Sequence, residues 1–259
     1  MKAILTILKK ELRGLFFSPL FYFVSFLATL LLGVTYSVSV YNFSQMLSNA
    51  MMTMGLGNNQ QQNIHYVVFL PHLSLLNLIF IFMVPALAMR MLAEEKKNRT
   101  FDLLLTSPVN SVQIVVSKYL ALLSVIFGLC ILAFIYMVAV SRAFEISWVP
   151  VVLATFGIFL VGAVYAALSL FSSSLTENTM ISFFIGIVLN LAVWIVGGLS
   201  DVVDSPNLKS GLAQISLNMH LQSLVEGVVR VNGLVFFASI IFLFCFLTER
   251  IIESTRWRA

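Results

Sequence analysis

The chain has 259 residues, of which 60% are hydrophobic and only 10% charged. A soluble domain carries about 25% charged residues, so this balance excludes an ordinary soluble enzyme or binding module and points to an integral membrane protein. The net charge of +4 is no nucleic-acid signature, because the basic residues are not gathered into one patch interleaved with aromatics. The two cysteines, Cys130 and Cys245, both fall inside apolar runs. They give neither a disulfide framework nor a metal-ligand spacing and read as small packing residues.

In chain order, residues 1–15 come first. Ile4, Ile7, Leu8, Leu12 and Leu15 form an apolar stripe at helical spacing, with Lys9, Lys10 and Arg13 on other faces. The pattern predicts an interfacial helix, its basic residues drawn to anionic lipid by about 1 kcal/mol each. The apolar run that follows, 16–40, exceeds a signal-peptide core of about 7–15 residues and predicts an uncleaved first span. Further runs at 67–89, 114–140, 148–171, 179–199 and 232–248 are each close to the ~20 residues of helix that cross a bilayer. The expected fold is therefore all-α and polytopic, a single domain over 1–259 with six transmembrane helices.

Six crossings put both termini on one side. If that side is cytoplasmic, it holds Lys2, Lys9, Lys10, Arg13, Arg90, Lys96, Lys97, Arg99, Lys118, Arg250, Arg256 and Arg258, twelve of the fifteen lysines and arginines. Such asymmetry sets the orientation, with cytoplasmic N- and C-termini. Residues 41–66 and 141–147 are then outer connections and 172–178 is a short inner turn. The last outer segment, 200–231, carries Leu217, Leu221, Leu224, Val225 and Val228 at helical spacing. It predicts an amphipathic helix lying on the outer surface or dipping between spans.

The segment between the second and third spans carries the most information. Residues 94–108 read EEKKNRTFDLLLTSP, charges of both signs followed by an apolar cluster and a closing proline. A cytoplasmic helix built this way lies in the interface and offers a face to a soluble partner. Phe101, Leu104 and Leu105 suit an apolar anchor, while Glu94, Glu95 and Asp102 suit basic groups at the rim of a groove.

Several chemistries are missing from the sequence. It contains no G-x-x-x-x-G-K-[ST], G-x-S-x-G or H-E-x-x-H motif. His65, His72 and His220 are widely separated and read as polar interface residues rather than metal ligands. No charged residue lies near the middle of a span, which argues against ion-coupled transport and voltage sensing. Asn77 and Asn190 are intramembrane amides. Interhelical hydrogen bonding is the more economical reading for both, with a substrate path as the alternative. Gly162, Ala166 and Leu170 form a small-residue face for close helix packing, and Pro85 is placed to kink the second span before the charged segment.

The run EEKKNRTFDLLLTSPVNSVQIVVSKYLA, 94–121, resembles the coupling region of type-2 ABC transporter permeases. It is closest to the gliding-motility permease group and to permeases of nitrous-oxide-reductase maturation. His220, Glu226, Gly227 and the ERIIESTRW tail at 249–257 resemble the same group. Arg99 stands where that group usually has Gly, Asp102 where it has Glu, and Ser117 where it has Gly. The resemblance implies a permease subunit in a bacterial cytoplasmic (inner) membrane, paired with a second copy or a related permease that carries a large outer domain. It also implies a separate P-loop ATPase dimer that holds ATP and Mg, this chain binding no cofactor and catalysing nothing itself. The ATPase would push on Glu94, Glu95, Phe101, Asp102, Leu104 and Leu105 within the coupling segment 94–112, and on the N-terminal helix. A mechanical role, moving an outer partner without cargo, is the alternative.

Overall fold

The computed structural model describes residues 2–52, 64–106, 109–144, 146–202, 214 and 216–256. Among them there is no strand, and 88% of these described residues are helical. Helix α1 spans Lys2–Phe16 and α2 spans Pro19–Met52. A π-helical turn, His65–Phe69, leads into α3, Leu70–Ala88. Two short helices follow, α4 at Ala93–Lys97 and α5 at Thr100–Leu105. The remaining helices are α6 (Ser111–Val140), α7 (Trp148–Leu175), α8 (Thr179–Val202), α9 (Leu217–Val225) and α10 (Val231–Arg256). Six of these segments are long and apolar enough to cross a membrane.

Helix α7 is the hub. It packs against α3, α6, α8, α9 and α10, and 67% of its most apolar window is buried, against 17% for α2 and α10. The reason is side-chain size. A Cβ on Gly162 would lie 2.7 Å from Ile126 and 3.0 Å from Phe80, so glycine there admits α6 and α3 together. Gly157 does the same for α9, its Cβ position lying 2.8 Å from Leu221. Around this hub, α2 presents Phe23, Phe26, Leu30 and Val34 outward, and α10 presents Phe242 and Leu243. Apolar surface this continuous belongs in a bilayer or against another membrane chain.

Helices run past their apolar limits at three ends. Helix α2 continues twelve residues beyond Val40 into the stretch expected to be a loop. Its Phe43 packs with Ile64, Val68 and Val140 in a second small core, so tertiary burial extends the helix through polar sequence. Helix α10 likewise continues past Thr248, because Ile252 is fully buried and Ser111 Oγ donates a hydrogen bond to Glu253. Helix α7 runs on to Leu175, with Ser172, Ser173 and Ser174 buried near its end.

The segment at 200–231 resolves into the nine-residue α9 within its described part. Ser216 caps it by accepting a hydrogen bond from the Met219 amide, and Gly227 closes it at φ +83. There the Val228 amide reaches Ser223 O at 2.8 Å and the Gly227 amide reaches Leu224 O at 3.1 Å, a Schellman ending that only glycine enters without strain. Leu217, Leu224 and Val225 are buried, so α9 packs between the spans rather than lying free.

Candidate functional site

Near the end of the bundle that holds both termini, α1, α4 and the first turns of α6 converge on one side chain. Lys118 is the seventh residue after Ser111 in α6, and its side chain is 0% exposed. A buried ammonium is unfavourable unless opposite charge and hydrogen bonds replace its water. Here Nζ donates to Glu11 of α1 at 2.9 Å and to the Met91 carbonyl at 2.6 Å, and pairs with Glu95 of α4 at 2.8 Å. Lys10 completes the group, 2.7 Å from Glu95 and 3.6 Å from Glu11. Two cations and two carboxylates thus balance and join three elements that are far apart in sequence. Burial opposes the charge on Lys10, but the hydrogen bond and charge of Glu95, with Glu11 behind it, outweigh it and raise that ammonium above the usual lysine value.

The charged segment itself folds as two helices. Residue Arg99, between α4 and α5, has φ 57, the sole positive φ of a non-glycine residue among those described. The left-handed conformation disfavours an L side chain by about 1–2 kcal/mol. The position where the resembling permeases use glycine is therefore the position that needs glycine's freedom, and here arginine occupies it. The expected single coupling helix is corrected to an elbow of two.

The elbow is fastened to α7. Ser173 Oγ accepts from the amides of Leu92 and Ala93 at 3.2 and 3.0 Å, satisfying amides that α4's first turn leaves without helical partners. Lys96 Nζ donates to the Ser174 carbonyl at 2.6 Å and sits 5.5 Å from the centre of the Phe101 ring. On the other side Arg90 donates to Glu94 at 2.9 Å and to Ser18, which is buried in the bend between α1 and α2. A cleft of about 290 Å³ between α1 and α4 is edged by Lys10, Glu11, Glu94, Glu95 and Asn98.

The residues expected to meet a partner divide. Phe101 is 2% exposed and belongs to this chain's own core, so the expectation that it anchors an apolar groove elsewhere is corrected: its burial is already supplied at home. Glu95 is committed to Lys118 and Lys10. Glu94 is half-buried beside Arg90, Leu104 is partly buried against the core, and Asp102 is exposed. The side chain of Leu105 lies outside the described residues. Lys9 and Arg13 are exposed on α1, while Ile7 and Leu15 of its apolar stripe are buried. Of the intramembrane amides, Asn190 is fully buried and its Nδ2 donates to Ile81 O at 3.4 Å and Ser169 Oγ at 3.3 Å, knitting α8 to α3 and α7. Asn77 lies on α3 one helical turn before Ile81.

Sequence reasoning passed over Glu11, Ser173 and the role of Lys118. The signal for Lys118 was available: a lysine within the first turns of an apolar run needs an acid, and two of the chain's eleven acidic residues, Glu11 and Glu95, flank the neighbouring spans. Among the described residues no group of His, Cys, Asp and Glu can hold a metal ion. A search of curated proteins gave no match. The family of ABC-2 family transporter proteins matches residues 51–248, from the end of α2 to near the end of α10. With six membrane-length helices and that match over most of its length, the chain belongs to the ABC-2 transporter family, as a multi-pass membrane subunit of an ABC transporter.

Proposed function

We propose that this permease is driven at its α4–α5 elbow by a separate P-loop ATPase dimer, and that the termini end of the bundle faces the bacterial cytoplasm. The observation that carries the proposal is the Lys118 cluster. It makes α1, α4 and α6 one mechanical unit, so a push on the exposed side of the elbow cannot displace α4 alone. The exposed contact would be formed by Lys97, Asp102 and the elbow at Arg99, together with Lys9 and Arg13 of α1. Displacement passes to α7 through Ser173 and Ser174, and α7 touches five other helices. ATP and Mg reside in the ATPase, and this chain contributes no catalytic group. A second permease, identical or related, completes the transporter, and the thinly buried α2, α8 and α10 provide apolar surface for lipid and for that neighbour. The resemblance at 94–121 and in the C-terminal tail supports kinship with the gliding-motility and nitrous-oxide-reductase-maturation permeases.

The test is purification of tagged protein in mild detergent, with mass spectrometry and ATPase assay of the eluate. A P-loop ATPase is expected to co-purify with wild type and to be lost with Asp102→Arg. Absence of any ATPase across several detergents would overturn the coupling role.

A further inference from the structure

Away from the coupling elbow, at the end of the bundle opposite the termini, a cavity of about 400 Å³ opens between α3, α8 and α9. Its polar lining includes Tyr66, Asn77, Trp194, Asn218, Gln222 and Glu226, while the hydroxyl of Ser74, also at its edge, donates to the Leu70 carbonyl. Tyr66 and Asn77 lie eleven positions apart on one face of the π turn and α3, about 15 Å along the axis. Asn218 and Gln222 of α9 and Glu226, the residue that caps its end, follow at four-residue steps. The placement is fixed: His65 Nε2 bonds the Val225 carbonyl at 3.0 Å, and Gly197 leaves room for Asn218, whose Nδ2 would lie 2.6 Å from a Cβ there.

The chemistry of the lining is selective. Among the described residues no lysine or arginine borders the cavity, so these residues offer a phosphate or carboxylate no counter-charge. Among the described lining residues the one carboxylate, Glu226, already accepts from Gln222 Nε2 at 3.1 Å. Three amide side chains each present a donor and an acceptor. Asn77 is only 7% exposed, and its Oδ1 has no hydrogen-bond partner, an omission that native structures rarely leave uncompensated. It asks for an incoming O–H or N–H. The Trp194 indole is partly exposed at the cavity wall, and the rest of the lining is largely aliphatic.

We propose that this cavity binds a neutral polyhydroxylated group of the size of a sugar ring, with one hydroxyl donating to Asn77 Oδ1, others engaging Asn218 and Gln222, and the ring's C–H face on Trp194. The proposal rests on the cavity alone and stands whether or not an ATPase drives the bundle. Both a glycolipid headgroup and a soluble glycan offer this chemistry.

The test uses full-length Trp148→Phe/Trp257→Phe protein, leaving Trp194 as the single indole, in nanodiscs of phosphatidylethanolamine and phosphatidylglycerol. Trp194 fluorescence is followed against maltotriose in solution, and separately against monoglucosyl diacylglycerol doped into the disc. A saturable change with either sugar probe is expected, weakened at least tenfold by Asn77→Leu and by Gln222→Leu. The probe that saturates identifies the source, lipid-linked or free. No saturable change with either probe overturns the proposal, as does an equal response to a phosphocholine lipid. Full affinity in Gln222→Leu, a change at an exposed position, also overturns it, even if Asn77→Leu fails to fold.

Discussion

Replacing Lys118 by methionine removes the cation shared by Glu11 and Glu95 and withdraws the donor from the Met91 carbonyl. Two carboxylates, 11% and 13% exposed, are then left with Lys10 alone, whose side chain is 61% exposed and which lies 3.6 Å from Glu11. Removing one member of a buried ion group costs about 3–5 kcal/mol, mostly from the charge left uncompensated. At the lower end, 3 kcal/mol corresponds to about a hundredfold in local opening. Hydrogen exchange at the amides of α1 and α4 is the direct assay, since global unfolding of a membrane protein is rarely reversible. The amides of both helices are expected to exchange about a hundredfold faster in Lys118→Met. Adding Glu11→Gln restores charge balance, leaving the Lys10–Glu95 pair at 2.7 Å, so the double variant is expected within about tenfold of wild type. If Lys118→Met exchanges within threefold of wild type, or if the double variant opens as readily as the single, the cluster does not hold the three helices together.

Arg99→Gly is expected to steady the elbow by about 1 kcal/mol by relieving the left-handed arginine, seen as slower proteolysis between α4 and α5; faster cleavage contradicts the strain argument. Gly162→Ala is expected to destabilise the bundle by about 1–3 kcal/mol through overpacking against Ile126 and Phe80, read as a lower melting temperature in detergent. Gly128→Ala, with no atom within 4 Å of its Cβ position, serves as the neutral comparison. Ser173→Ala leaves the Leu92 and Ala93 amides without their acceptor, and about 1 kcal/mol of lost capping is expected as faster exchange at those two amides. Asn190→Leu is expected to lower stability by about 0.6–2 kcal/mol while leaving ATPase stimulation unchanged; a loss of transport at unaltered stability would assign the amide to a path instead.

The six spans were legible because membrane-length apolar runs dominate this composition, and the start of α7 at Trp148 falls where the sequence puts it. Helix ends were less legible wherever burial rather than apolarity decides them, as with Phe43 in α2 and Ile252 in α10. The elbow was visible as a charge-dense break, yet its internal direction was not. Hydrophobicity cannot say whether Phe101 faces this chain's core or a partner, because both environments bury a ring equally well. Lys118 was counted for its sign alone. Its partners lie 107 and 23 positions away, and only the packing of α1 and α4 against α6 brings those carboxylates to it. The unpartnered acceptor of Asn77 was likewise invisible, since an intramembrane asparagine reads the same with its bonds made or missing.

The position of α7 in the chain order sets a schedule for biosynthesis. The most enclosed helix is the fourth span to leave the ribosome, so α3 and α6 must wait with Phe80 and Ile126 facing lipid or the insertion machinery. The Lys118 cluster has no such wait. Every group in it is present once the third span has been made, and its closure ties the first 118 residues into a unit onto which the hub can dock. A chain arrested before Trp148 would already carry the linkage that its finished form uses at the elbow.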